Sequence, residues 1–432
     1  MRYPFCVVIF LFVLGCAINP VTGEKEFVLV SEERELEMGA HYFGPIVQSF
    51  DGVYPDEKAN QYIQSLGEKI ASISHRPGLR YEFKIVNSPI VNAFALPGGK
   101  ICVTRGLLSH MDREDQLVAV LGHELGHVTA RHQVRAMSRQ MLIGTLFNLG
   151  AIAMEVGQVQ NRDAFLTLGA IGLQAGLAKY SRDQESQADE LGMQYLMKLH
   201  HDPHGAIEVF EVFQKLQQSE PSTIDLLFSS HPQSKDRIAN MKVLISTTYA
   251  LELQGKHFPS SSTLFQQMKA RIKKWKPYYE AHDEGVKAGS EGLWNTALEK
   301  FKYAVQGRPE EAVFQTHLAY AYSKKHDEAS AVEHFQKAMA LYPQFFKPKY
   351  FMGMMMYEYK KPQEAIRYLL QADEIIPGIP LLRLVLGESF EQTGNIQRAI
   401  DYYVYVYQND SKGRAGKVAA QHLYRLGYFG NK

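Results

Sequence analysis

Cysteine is scarce in this chain: three residues in 432, with Cys6 and Cys16 inside the first sixteen positions and Cys102 alone thereafter. A disulfide framework is excluded, so stability must come from buried apolar surface. An excess of charge of one sign is lacking too. With 47 basic and 46 acidic residues the formal net charge is +1, and no overall field favours nucleic acid as a partner. Long hydrophobic runs are also absent: residues 5–14 offer about ten apolar positions, where a spanning helix needs roughly 20. Hydrophobic residues at 45% and charged residues at 22% are ordinary globular proportions, which exclude a disordered, collagen-like or multi-span membrane protein.

What is present begins at the N-terminus. Arg2 followed by the short apolar run reads as a secretory signal over residues 1–15. It ends Val13-Leu14-Gly15-Cys16, which resembles a bacterial lipobox, in which the cysteine is acylated and becomes the first mature residue. Ala17, rather than Asp, implies sorting to the outer membrane. Residues 16–50 then read as a lipid-anchored tether with a helix at 31–42.

Residues 51–242 mix a short strand pattern with several helices. Residues 83–86 and 101–104 read as strands flanking the turn Pro97-Gly98-Gly99. Asp112 suits the N-cap of a helix through about His132, with Leu117, Leu121, Leu125 and Val128 as its apolar stripe. The apolar stretches 141–155 and 164–178 read as buried helices covering the site, or as a membrane-contacting hairpin. Residues 243–277 read as a linker, and its Lys269, Arg271, Lys273, Lys274 and Lys276 as a solvated helix face.

From residue 278 to 411 the chain repeats. Ala297, Ala331, Ala365 and Ala399 recur at intervals of 34 residues, in phase with Phe301, Phe335, Leu369 and Tyr403 and with Gly285, Ala319, Gly353 and Gly387. Small residues at fixed phase let paired helices approach, and Pro309, Pro343 and Pro377 end the second helix of each pair. The pattern resembles the tetratricopeptide repeat: four units, with a capping helix within 412–432.

The residues that carry chemistry are His123-Glu124-Leu125-Gly126-His127, inside the expected helix. Residues four apart share a helix face, so both imidazoles can hold one metal ion. Glu124 is turned about 100° away, badly placed as a ligand but able to reach water at the metal as a general base. Zinc in a hydrolase takes three protein ligands and keeps a fourth position open. Glu185, in Glu185-Ser-Gln-Ala-Asp189, is the best third ligand, and Asp189 one turn on can accept a proton from a ligating imidazole. His132, His200, His201 and His204 lack ligand spacing and read as surface or capping residues. Cys102 reads as a small buried hydrophobe.

Residues 92–99, Gly106-Leu-Leu108, the histidine helix, Glu185–Asp189 and Ser230-His231-Pro232 occur in order, and together resemble gluzincin metalloproteases of the HtpX and BepA group. The resemblance implies a mainly α fold with a small β-sheet, a gluzincin-type metalloprotease domain followed by an α-solenoid of repeats. It implies one zinc ion on His123, His127 and Glu185, Glu124 as base, and cleavage of unfolded or misassembled polypeptides of the bacterial envelope. It also implies that His231 can occupy the open zinc position and silence the enzyme. The alternatives stay open that His231 packs under the cleft or contacts the substrate carbonyl. Substrate would lie extended beside residues 92–97, near Asn92, pairing as an added strand. Arg237 would contact substrate or form a surface ion pair. The expected setting is the periplasm of a Gram-negative bacterium, with the outer-membrane barrel machinery as partner. The second function reading is a largely latent protease acting as a chaperone or assembly adaptor through its repeats.

Overall fold

The structure, a computed structural model, describes residues 16–138, 179–232 and 235–429. Residues 1–15, read as a signal, and the apolar stretches 141–155 and 164–178 lie outside these residues. Two compact units divide the described chain, one up to Lys274 and one from Trp275.

The first unit opens with an antiparallel hairpin of β1 (Cys16–Ile18) and β2 (Lys25–Phe27). The helix Glu32–Ser49 follows, capped by the Ser31 side chain. It runs past the expected end at 42 because Phe43, Ile46 and Val47 continue its buried stripe. A three-stranded sheet comes next, built of β3 (Glu82–Val86), β4 (Ala93–Leu96) and β5 (Lys100–Thr104) in the order β3-β5-β4. The strand that pairs with β5 across the Pro97-Gly98-Gly99 turn is β4, antiparallel, while β3 joins β5 in parallel. The sequence reading had β3 in that place. Residues 93–96 are Ala-Phe-Ala-Leu, buried throughout, and so show no alternation of apolar and polar positions. The turn needs its glycines: Gly98 and Gly99 have φ of 73° and 80°. Cys102 is buried in the central strand, as its surroundings suggested.

The histidine helix, Glu114–Thr129, is buried along nearly its whole length. Its N-cap is Arg113 and not Asp112, because Gln116 Oε1 accepts from the backbone N–H of both residues. It packs against the acidic helix Arg182–Lys198 through small residues. A Cβ on Gly122 would stand 3.2 Å from Gly192 Cα, and one on Gly126 3.2 Å from Ala188 Cα. That close approach of two backbones brings the motif histidines to Glu185. The helices His204–Ser219, Pro221–Ser230 and Lys235–Ser246 complete this side.

The segment read as a linker is largely helical. Its long helix, Thr263–Ser290, buries Phe265, Met268 and Ile272, and Arg271 pairs with Asp56 at 2.6 Å. Lys269 reaches the Leu108 and Ser109 carbonyls, so the basic run is only partly a solvated face.

The second unit is a row of helix pairs: the end of Thr263–Ser290 with Trp294–Gly307, Ala312–Lys324 with Glu328–Leu341, Phe346–Glu358 with Pro362–Ile375, and Pro380–Gln392 with Ile396–Asn409. The helix Arg414–Arg425 follows as a cap. Ala297, Ala331, Ala365 and Ala399 are all fully buried. A Cβ on Gly285, Gly353 or Gly387 would meet Phe301, Leu369 or Tyr403 at 2.6–2.7 Å. In these three pairs the large residue of the second helix therefore sits on the small residue of the first, which is the physical content of the 34-residue phase. Among the described residues no helix is long and apolar enough to cross a membrane.

Candidate metal centre

His123 and His127 share one face of their helix, and their Nε2 atoms stand 3.0 Å apart. The acidic helix starts at a capping box of Ser181 and Gln184, which delivers Glu185 into the same space. Its carboxylate lies 3.6 Å from His123 Nε2 and 3.4 Å from His127 Nε2. His231, just past the helix Pro221–Ser230, enters with its Nδ1 3.0 Å from Glu185 and 3.4 Å from His123 Nε2. One donor atom from each of these four residues lies within 4.8 Å of the others.

Glu124 departs from this face. Its Oε1 stands 3.7 Å from His231 Nε2, and its carboxylate accepts from the Ala95 backbone. Burial raises its carboxyl above the ordinary range, against the opposing pull of His231 and His123. Burial likewise drives His127 well below the usual imidazole value. For His231 burial is outweighed by the Glu185 and Glu124 carboxylates, which hold its imidazole above that value. For Glu185 burial is again outweighed, here by His231, His127 and His123, and its carboxyl lies far below the ordinary range.

The donor set fits a cation. Asp189 Oδ1 is 2.9 Å from His123 Nδ1, and a carboxylate only accepts, so His123 keeps its proton there and presents Nε2 as a lone pair. Two ring nitrogens and a carboxylate thus converge in a buried space. His231 Nε2 and Glu124 Oε2 beside them are buried without hydrogen-bond partners among the described residues. Such a group is stabilised by a positive ion.

Several residues stand elsewhere than the sequence suggested. Arg237 is no surface residue: it is buried, bidentate on Asp189 at 2.6 and 2.7 Å, and 2.5 Å from Glu185. His132 is fully buried, its Nδ1 2.9 Å from His127 Nδ1, which overturns its reading as a surface residue. His201 pairs with Asp115 at 2.8 Å, while His200 and His204 are outer residues. Asn92 is fully buried, its backbone tied to Thr104 and its side-chain amide without a partner among the described residues. Gln133 and Tyr180 escaped the sequence reading altogether. Tyr180 stacks on the His127 ring at 3.7 Å between centroids, and Gln133 donates to both the Tyr180 hydroxyl and the Ala95 carbonyl. No spacing rule signals either, because both reach the site only through the tertiary fold.

A cavity opens beside Glu124. His123, Glu124 and His231 form its polar end, and Met193, Val209, Phe210, Phe213, Leu227 and Phe228 its apolar wall.

Such a fold and such a group define a metallopeptidase domain followed by helical repeats. Residues 57–245 match the family model of peptidase family M48, and residues 312–345 match that of a tetratricopeptide repeat. The chain therefore carries an M48 peptidase domain, a metallopeptidase of the hydrolase class, together with tetratricopeptide repeats, and the fold class read from sequence holds. It is 31% identical over 231 residues to the "Beta-barrel assembly-enhancing protease" of Escherichia coli (strain K12), covering 52% of this chain and 46% of that one. It is 34% identical over 182 residues to the "Mitochondrial metalloendopeptidase OMA1" of Arabidopsis thaliana, covering 41% of this chain and 35% of that one. The chain thus spans about half the length of the first of these relatives and about a third of the second. Among solved structures, YrrB, a tetratricopeptide protein with an unusual peptide-binding site, is 16% identical with a TM-score of 0.30, covering 48% of this chain and 97% of that one.

Proposed function

We propose that the chain is a zinc endopeptidase of the bacterial envelope that cuts misfolded or misassembled outer-membrane proteins, with its repeats capturing substrate or partner. The observation that carries this reading is the convergence of His123, His127 and Glu185 with Glu124 alongside. Two nitrogens and a carboxylate oxygen are a zinc donor set, one ion per chain. Zinc bound there supplies Lewis acidity toward the scissile carbonyl and the attacking water. Asp189 orients His123, and Arg237 clamps Asp189 against Glu185. Glu124, once ionised, takes a proton from the attacking water and delivers it to the leaving nitrogen as the C–N bond breaks. The apolar cavity seats a side chain next to the cut bond and keeps bulk water out. Glu124→Gln should keep the metal and lower casein cleavage by about 10²–10⁴-fold. Normal cleavage by that variant would remove the mechanism.

A second reading, a mostly latent protease serving barrel assembly as a chaperone or adaptor, is favoured by His231 inside the metal group. It is favoured also by β4, whose Ala95 N–H and C=O are taken by Glu124 and Gln133. An incoming substrate strand has to displace these contacts. The relatives named for barrel assembly support an envelope partner of that kind. We propose further that Cys16 carries the lipid that holds the chain to the periplasmic face of the outer membrane. Cell fractionation tests this: wild type should sediment with outer membranes and Cys16→Ala should be released, and equal release of both discards the anchor.

A further inference from the structure

His132 has no part in the chemistry described so far, yet it is fully buried against a motif histidine. Its Nδ1 lies 2.9 Å from His127 Nδ1, and its Nε2 lies 2.9 Å from Gln187 Oε1. The local cause is the end of the histidine helix. Ala130 N–H closes on the Gly126 carbonyl, Arg131 takes a left-handed φ of 53°, and the chain turns so that His132 comes back against His127. Arg131 is held there by Glu35 at 2.9 Å and by the Val30 carbonyl at 3.1 Å. Gln187 belongs to the acidic helix, two residues beyond Glu185. The line Gln187–His132–His127 therefore joins the two segments that supply the metal group.

Hydrogen bonding along that line has a direction. An amide oxygen only accepts, so His132 carries its proton on Nε2. A neutral imidazole has one proton, which makes His132 Nδ1 an acceptor. The proton between the two Nδ1 atoms then belongs to His127, which favours a bare Nε2 toward His123 and Glu185, against the pull of the Glu185 carboxylate 3.4 Å from that nitrogen. Asp189 achieves the same for His123 with a carboxylate. With the amide reversed, the protons would run the other way, His127 would be protonated on Nε2, and the group would lose a ligand.

We propose that His132 is a positioning residue: held by Gln187, it takes the His127 Nδ1 hydrogen bond and so fixes the tautomer that offers His127 Nε2 to the metal. The proposal rests on the peptidase reading only in that the group binds zinc. It adds no charge to the site, unlike the carboxylate behind His123.

The test reads tautomer and metal separately from activity. In metal-free full-length protein carrying nitrogen-labelled histidine, two-bond proton–nitrogen correlation spectra should show a larger Nδ1-protonated share of His127 in the parent than in His132→Leu. His132→Leu should shift that ring toward the Nε2-protonated form and weaken zinc binding about 10–100-fold in chelator competition. His132→Asn, which keeps an acceptor near the Nδ1 position, should recover most of the affinity at similar helix content. Unchanged zinc affinity in His132→Leu, or an unchanged tautomer balance of His127 in that variant, overturns the proposal. Equal loss in the Leu and Asn variants reduces His132 to packing and overturns it too. Zinc bound in the expected order of affinity by a protein that cuts nothing would support the relay and remove the peptidase reading instead.

Discussion

Two histidines outside the motif, His132 and His231, crowd the two inside it, and they do so from opposite sides. His132 meets the outer nitrogen of His127, whereas His231 stands 3.0 Å from Glu185 and 3.7 Å from Glu124, lining the cavity beside that carboxylate. Neutral imidazole is a competent zinc ligand, so His231 can fill the fourth position and displace water from it. His231→Ala should therefore raise cleavage of an unfolded substrate such as casein, with zinc content unchanged. A severalfold fall at constant zinc would mean that His231 serves the reaction. The sequence singled out His123 and His127 on one helix, with Glu124 turned off their face, and Glu185 and Asp189 on another, because within each helix a spacing of four fixes a shared face. His132 was hidden for the same kind of reason. A helix continued to His132 would carry its side chain away from His127, and only the left-handed Arg131 brings it back. Arg237 and Tyr180 lie on other segments, and no local rule points to their meeting with Asp189 or His127.

At the scale of elements, the site is a contact between two helices made possible by missing side chains. Gly122 faces Gly192 and Gly126 faces Ala188, with hypothetical Cβ contacts of 3.2 Å to the opposing Cα atoms. Ala188 is fully buried there, between Glu185 and Asp189 on the acidic helix. Ala188→Leu should wedge the helices apart, cost about 1–3 kcal/mol of stability, and weaken zinc binding while circular dichroism stays helical. Full zinc affinity in that variant would show that the close approach is not what aligns the ligands. The repeat helices were legible for a related reason: the same glycine-against-large contact recurs in three of the four units at a fixed phase, and recurrence stands out where a single contact does not. The strand β4 was the opposite case. Four consecutive buried residues carry no alternation, and its pairing is defined only by the turn and by β5.

At the scale of the whole chain, the proposed ligands, base and clamp lie between His123 and Arg237, inside the first unit, and the repeats fold on their own neighbours. The helix Thr263–Ser290 contributes residues to both units. Its first half buries Phe265, Met268 and Ile272 in the peptidase unit, and its second half buries Tyr279 and Ala281 among the repeats. A cut near residue 277, which the composition alone suggests, would leave that helix without its last turns. A cut after Ser290 keeps it whole. A chain ending there should bind zinc like the parent and cleave a casein-like substrate at least in part, since neither task uses a residue beyond the helix. Association with envelope-assembly partners should disappear in a pull-down run beside the metal assay. Loss of zinc would make the repeats part of the catalytic fold, and undiminished capture would move recognition into the peptidase unit, where β4 and the apolar cavity would have to supply it.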